Sequence, residues 1–351
     1  MSEILYRNRR SVRIENDAIA VTVSVEGGHI AELVEKRTGV NPLWVPPWPS
    51  IEPSTYDRAR HPQYGDNSES QLLSGILGHN LALDIFGGPS EEEARAGIPV
   101  HGEVNIVAHT IESDATSLRA RVHLPLTLLD FEREIRLEPG GVARIRETVT
   151  NLTALDRPIA WTQHVTLGAP FIEPGVTRLA MPVRRSKTYP TDLSEHQHHA
   201  VFADFDWPHA PAKDGSTIDL SVMPPFERSS GVTGHLVDVG RDDGYFIAWH
   251  PRLQVACGYR WKRADFPWVS LWEENRSRTQ APWNGNTVTR GIEFGASPFA
   301  EARRSMIDRG PLFGTPVYRW LPARAKLTAE YLAFVRPASR MPDAPPPDCT
   351  L

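Results

Sequence analysis

The sequence predicts an all-β protein, a large and mostly antiparallel sandwich with few short helices. Three observations lead there. Apolar and polar residues alternate with a period of two through most of the recognisable segments. The 351 residues include 31 prolines and 25 glycines, which favour many turns and few long helices. Helical signals are confined to residues 90–96 and 299–309, the first opening with Ser90 and three glutamates as a capped first turn.

Taken in order, residues 11–25 (SVRIENDAIAVTVSV) read as two short strands around an Asn16-Asp17 turn. Gly27-Gly28 and a strand at about 29–35 follow. The segment 45–67, rich in Pro, Trp and Tyr, reads as a long ordered loop. Residues 118–126 and 131–137 alternate, and Pro139-Gly140-Gly141 then turns the chain into 142–151, which makes a hairpin. Further strands are expected at 159–167, 245–250, 253–261 and 326–335. Residues 1–336 are expected to form one domain, and the tail 337–351 to be disordered.

Composition excludes several classes. A formal net charge of −5 without a useful basic run gives no reason to expect nucleic acid. No segment approaches the roughly 20 apolar residues that span a bilayer, so no membrane partner is expected. The opening MSEILYRNRRS lacks an apolar signal core, and a cytoplasmic location is the expectation. Two cysteines, Cys257 and Cys349, are too few for a disulfide framework or a zinc site. The Gly-rich pieces lack a strand–GxGxxG–helix context, so nucleotide binding is not expected. The run Glu195-His196-Gln197-His198-His199 lacks regular ligand spacing and reads as an exposed loop.

The richest segment is 266–298, FPWVSLWEENRSRTQAPWNGNTVTRGIEFGASP. It places Trp272, Glu273, Glu274, Asn275 and Arg276 directly after an apolar strand. Indole faces stack on the C–H face of a sugar ring, while carboxylates and amides serve its hydroxyls. A small-molecule carbohydrate is therefore the expected partner. Glu273 and Glu274 point to opposite faces of a strand, so at most one faces a given pocket, and Glu273 is the favoured contact. Arg276 and Arg278 are candidates to clamp an acidic sugar or a phosphate. Trp44 and Trp48 are candidates to wall the site, and His79-Asn80 to border it.

The chain resembles the aldose 1-epimerase (galactose mutarotase) superfamily. The resemblance rests on Gly27-Gly28-His29-Ile30, on Val100-His101-Gly102-Glu103-Val104, on Asn151 followed by Trp161-Thr162-Gln163-His164, and on Gly291-Ile292-Glu293-Phe294 through Pro298, all in family order. It covers residues 12–336 and implies a large antiparallel β-supersandwich. It also implies that Glu293 takes the proton from the anomeric hydroxyl, that His164 donates one to the ring oxygen, and that His101 binds and polarises the same region. No metal or organic cofactor is implied.

Departures from the family pattern are visible. Glu103 stands where a second glycine is usual, and His164 lacks the usual Pro-Tyr-Phe-Asn that follows. Three readings stay open: anomer interconversion of a free sugar, a lyase or hydrolase using Glu103, Glu273 or Glu274, and a sugar-binding protein without catalysis. A homodimer is left open as well.

Overall fold

A computed structural model describes residues 3–351. Two large antiparallel sheets dominate it. The first has twelve strands and runs Ile4–Tyr6, Arg9–Glu15, Ile19–Ser24, Ile30–Glu35, His79–Asp84, Arg157–Gly168, Val288–Gly295, Trp268–Asn275, Ser229–Val237, Val183–Thr188 and Asp204–Asp206, with Arg319–Leu321 paired to one end of Arg157–Gly168. The second has eight strands, in the order Arg178–Ala180, Asp243–His250, Val255–Lys262, Lys326–Pro337, Val142–Asn151, Leu129–Glu138, Ser117–Leu124 and Thr110–Ser113. A small pair, His209–Pro211 with Thr217–Asp219, lies apart. The all-β expectation holds.

One apolar cluster joins the sheets. It takes Leu81, Leu83, Val165, Leu167, Val269, Leu271, Ile292 and Phe294 from the first sheet and Phe131, Ile145, Phe246, Tyr259, Trp261 and Tyr331 from the second. Alternation then sends the intervening residues of the first sheet to its outer face. Inside the interface, Glu147 accepts hydrogen bonds from Arg133, Trp161, Gln163 and Tyr331. Hydrogen bonds to its oxygens offset the cost of burying a carboxylate. The network grips Gln163 from the core side and thereby fixes the register of the strand that carries His164.

The expected strands form within one to three residues at most ends. Several strands gave no period-two signal, among them Ser229–Val237 and His79–Asp84, because every residue in each is buried. The expected helix at 90–96 is Glu91–Arg95, with Ser90 and Glu93 completing a capping box. Residues 299–309 shorten to a helix at Arg303–Arg309, since the backbone is still extended at Ala302. The Pro-rich segment 45–67 is ordered, pinned by Tyr64 Oη to the Pro49 carbonyl at 2.9 Å and by Trp48 Nε1 to the Leu73 carbonyl at 2.8 Å.

The tail corrects an expectation. Residues 337–351 pack on the outer face of the second sheet, where Cys349 is fully buried against a cluster that includes Val142, Ile247 and Phe334. Arg260 donates to the Cys349 carbonyl and Trp249 to the Ala338 carbonyl at 2.9 Å. The sheet has an apolar patch there, and covering it outweighs the tail's Pro-rich composition. Both cysteines are free and buried.

Candidate active site

The outer face of the first sheet forms the floor of a cavity of about 600 Å³. His164 and Glu293 both line it. Residues 163 and 166 pair with 294 and 291, which puts His164 and Glu293 opposite each other on adjacent strands. His164 Nε2 lies 3.1 Å from Glu293 Oε1. The two atoms are not aligned as a hydrogen bond, and Oε1 has no partner. Ser270 continues the row on the next strand, directly across from Glu293, and its hydroxyl faces that carboxyl closely enough to work against the effect of burial on it. A buried polar atom left as Oε1 is usually marks the place of a ligand or a water.

Two glycines make the floor possible. A Cβ on Gly291 would come within 2.3 Å of Glu293 Oε1, so only glycine leaves that carboxylate its place. Gly102 has φ +83°, and a Cβ there would meet the Leu83 carbonyl oxygen at 1.8 Å. Its neighbour His101 also has positive φ, at 63°. That conformation is costly for a residue other than glycine, and it aims the imidazole at the cavity.

Electrostatics follow from burial. Burial pushes the Glu293 carboxyl up to about 8. Burial likewise holds His164 well below the usual imidazole value, and nearby His101 lowers it further. His101 is lowered by burial too, with the Glu69 carboxylate working against the shift. Burial thus favours neutral imidazoles and a protonated Glu293 carboxyl. His101 Nδ1 lies 2.6 Å from the Phe86 carbonyl, which can only accept, so Nδ1 donates and Nε2 is left with a free lone pair. His164 Nδ1 lies 3.0 Å from Thr166 Oγ1, which fixes the ring's orientation.

The walls are aromatic. Trp272 stands 6.0 Å from the His164 ring, and Trp283 stands 6.1 Å from Trp272. Trp44 stacks on Trp283 at 5.8 Å, and both line the cavity. Trp48 does not reach the cavity; it buttresses Trp44 and Trp283 edge-on at 5.6 and 5.1 Å. Arg278 lies over Trp283 at 4.7 Å and is bound by Glu69 at 3.3 Å and Glu274 at 3.5 Å.

Of the sequence candidates, Glu293, His164, His101, Trp272, Trp44 and Arg278 line one cavity. Others do not. Glu273 shares the core-side parity of Val269 and Leu271, accepts from Ser229, and sits opposite Arg290. Glu274, not Glu273, shares the face of Ser270 and Trp272. Its oxygens are taken by Ser277 N and Oγ at 2.7 and 2.6 Å, which ties down the following loop. Asn275 donates to the Phe226 carbonyl at 2.7 Å. Arg276 is exposed and donates to Asn275 Oδ1 at 3.0 Å. His79 is in the core, 3.1 Å from both Tyr259 Oη and Gln163 Oε1. Glu103 is buried and accepts from Thr127 N and Oγ1 at 2.7 and 2.8 Å, an anchor for a turn. The run 195–199 is not a plain exposed loop, since Gln197 and His199 are buried.

Sequence reasoning missed Glu69, Ser270 and Trp283 as lining residues. Ser270 and Trp283 lay within the segment already singled out: strand parity puts Ser270 on the face of Trp272, a signal that went unused, while the loop position of Trp283 gave none. Glu69 carried no signal at all.

No protein-family model matches the chain, and no curated protein matches it by sequence. Solved structures do match. A candidate aldose 1-epimerase from Klebsiella pneumoniae aligns with a TM-score of 0.65 at 13% identity, over 95% of this chain and 80% of that one. A galactose mutarotase-like protein from Clostridium acetobutylicum aligns at 0.62 and 12% identity, over 96% and 98% of the two chains. The fold is galactose mutarotase-like. A galactose mutarotase related enzyme from Lactobacillus acidophilus aligns at 0.59 and 13% identity, over 95% and 99%. On this galactose mutarotase-like scaffold no helix among the described residues is long and apolar enough to cross a membrane.

Proposed function

We propose that this protein interconverts the anomers of a free sugar, with Glu293 and His164 as its acid–base pair. The observation that carries the reading is the 3.1 Å approach of these two side chains on the floor of an indole-walled cavity. Opening a cyclic hemiacetal removes a proton from the anomeric hydroxyl and delivers one to the ring oxygen. Both oxygens sit on one carbon, so acid and base must stand side by side.

Burial favours a single proton on the pair, held by Glu293. Glu293 therefore donates to the ring oxygen while His164 accepts the hydroxyl proton, and the roles reverse on closure. This inverts the assignment expected from the family resemblance, because burial makes the carboxyl the weaker acid of its usual range. His101, with its free Nε2, accepts a hydrogen bond from a sugar hydroxyl.

The three carboxylates that motivated glycoside cleavage, Glu103, Glu273 and Glu274, do not line the cavity; Thr127, Ser229 and Ser277 hold them. The test is anomer exchange followed by NMR on a panel of reducing sugars. Wild type is expected to accelerate exchange, and Glu293→Gln and His164→Ala to lose about 10²–10⁴-fold, the range of general acid–base assistance. Equal rates for all three proteins would remove the proposal.

A further inference from the structure

Thr166 follows His164 by two residues on the strand Arg157–Gly168, and alternation turns both side chains to the same face of the sheet. Its Oγ1 lies 3.0 Å from His164 Nδ1, and both residues are buried. The sheet holds Thr166 firmly. Its carbonyl accepts from Trp44 N at 2.8 Å, and its amide donates to the Gly78 carbonyl at 3.2 Å. Across the ladder it pairs with Gly291, the residue whose missing side chain leaves Glu293 its place. A β-branched side chain is stiff at χ1, so the hydroxyl oxygen stays beside the ring. The family pattern has Pro-Tyr after this histidine where the chain has Val165-Thr166, so the contact belongs to this chain and not to the resemblance.

A hydroxyl can give or take a hydrogen bond, so the contact alone is compatible with either neutral tautomer of His164. Two further observations favour a proton on Nδ1. The other ring nitrogen, Nε2, lies 3.1 Å from Glu293 Oε1, where burial favours the protonated carboxyl. An Nε2–H there would set one donor against another. The neighbouring ring already follows the same pattern. His101 lies edge-on to His164 at 4.9 Å, and its Nδ1 donates to the Phe86 carbonyl while its Nε2 is bare.

Resting on the acid–base reading above, we propose that Thr166 is the positioning residue that sets the direction of proton transfer. Its Oγ1 accepts from His164 Nδ1–H, which keeps Nε2 bare and makes His164 the base. Nε2 takes the proton of the anomeric hydroxyl, and the O–H electron pair becomes the second bond of the new carbonyl. The bond from the anomeric carbon to the ring oxygen breaks, and that oxygen takes the proton of Glu293. Imidazolium and carboxylate are left side by side, with Oγ1 still accepting from Nδ1–H. In the other tautomer Nε2 could only donate, which is the role that the family resemblance implies.

The experiment reads the tautomer directly, by long-range proton–nitrogen correlation NMR on isotope-labelled histidine, with the His164 signals assigned by their loss in His164→Ala. Wild type is expected to carry a proton on Nδ1 and none on Nε2. Thr166→Val removes the hydroxyl at nearly constant shape. It is expected to shift the proton toward Nε2 and to slow anomer exchange by about 10- to 100-fold, the contribution of a hydrogen bond to a charged group. Thr166→Ser keeps a hydroxyl and is expected to restore the tautomer and most of the rate. A proton on Nε2 in wild type, alone or together with one on Nδ1, overturns the inference. So does a folded Thr166→Val that keeps either the wild-type tautomer or the wild-type rate. The wild-type spectrum decides even where the valine variant does not fold. The two claims fail separately: the expected tautomer without exchange on any sugar removes the proposed activity and leaves Thr166 its hold on the ring, whereas exchange with Nε2 protonated removes this inference alone.

Discussion

Gly291 and Glu293 share a strand face, and the missing side chain of the first is the space occupied by the carboxylate of the second. The carboxyl is thereby placed beside His164 and across from the Ser270 hydroxyl. The lack of a side chain at 291 is what leaves the group that position.

Substituting that glycine tests the placement. Gly291 does not use a positive φ, so Gly291→Ala costs little backbone strain, but its Cβ displaces the Glu293 carboxylate. A shift of about 1 Å at a reacting group costs on the order of 10²-fold in rate. The exchange rate of Gly291→Ala should fall by about that much while its melting temperature stays near that of wild type. A rate within threefold of wild type would show that the carboxylate has room to spare.

The pH dependence follows from the one-proton pair. The proposed mechanism needs Glu293 protonated and His164 neutral. Glu293 loses its proton near about 8, so the exchange rate should fall as pH rises through that value. His164 is held well below the usual histidine range, so no fall is expected as pH drops to 6.5. A rate that increases from pH 7 to 9 would assign the opposite role to Glu293.

Stability should carry the same signature. The Glu293 carboxyl is raised from 4.5 to about 8 on folding, so the folded state holds its proton where the unfolded chain has lost it. The resulting stabilisation is fully present below about pH 4.5 and is lost as pH rises through about 8. Glu293→Gln lacks this dependence. Its stability relative to wild type should therefore rise between pH 5 and 9, by on the order of a few kcal/mol. Parallel denaturant curves at the two pH values check this, and an unchanged difference would contradict the shifted carboxyl.

Glu103 serves as a contrasting case. Its oxygens hold Thr127 and the Leu126 amide rather than the cavity. Glu103→Gln should cost about 1–3 kcal/mol of stability through lost buried hydrogen bonds. The folded variant should keep the wild-type pH profile for exchange. A displaced profile would return Glu103 to the active site.

Much of the architecture was legible because one face of many strands is less buried than the other. Where both faces are covered, as in Ser229–Val237, alternation vanishes and the strand goes unread. The site was half legible for a related reason. His101, His164, Glu293 and Trp272 stood out as chemistry-bearing residues in an ordered series. The spacing of Glu273 and Glu274 showed that they face opposite ways, but not which way the cavity lies. The tail misled because Pro-rich composition says nothing of an uncovered apolar patch on a distant sheet.

Local sequence by itself determined a β-rich chain, its main turns and a short roster of groups able to move protons. The folded arrangement decided which of them meet, which carboxylate is desolvated and which arginine is already spoken for. Those outcomes depend on register between strands more than a hundred residues apart and on how loops cap one sheet, and short-range patterning carries no information about either.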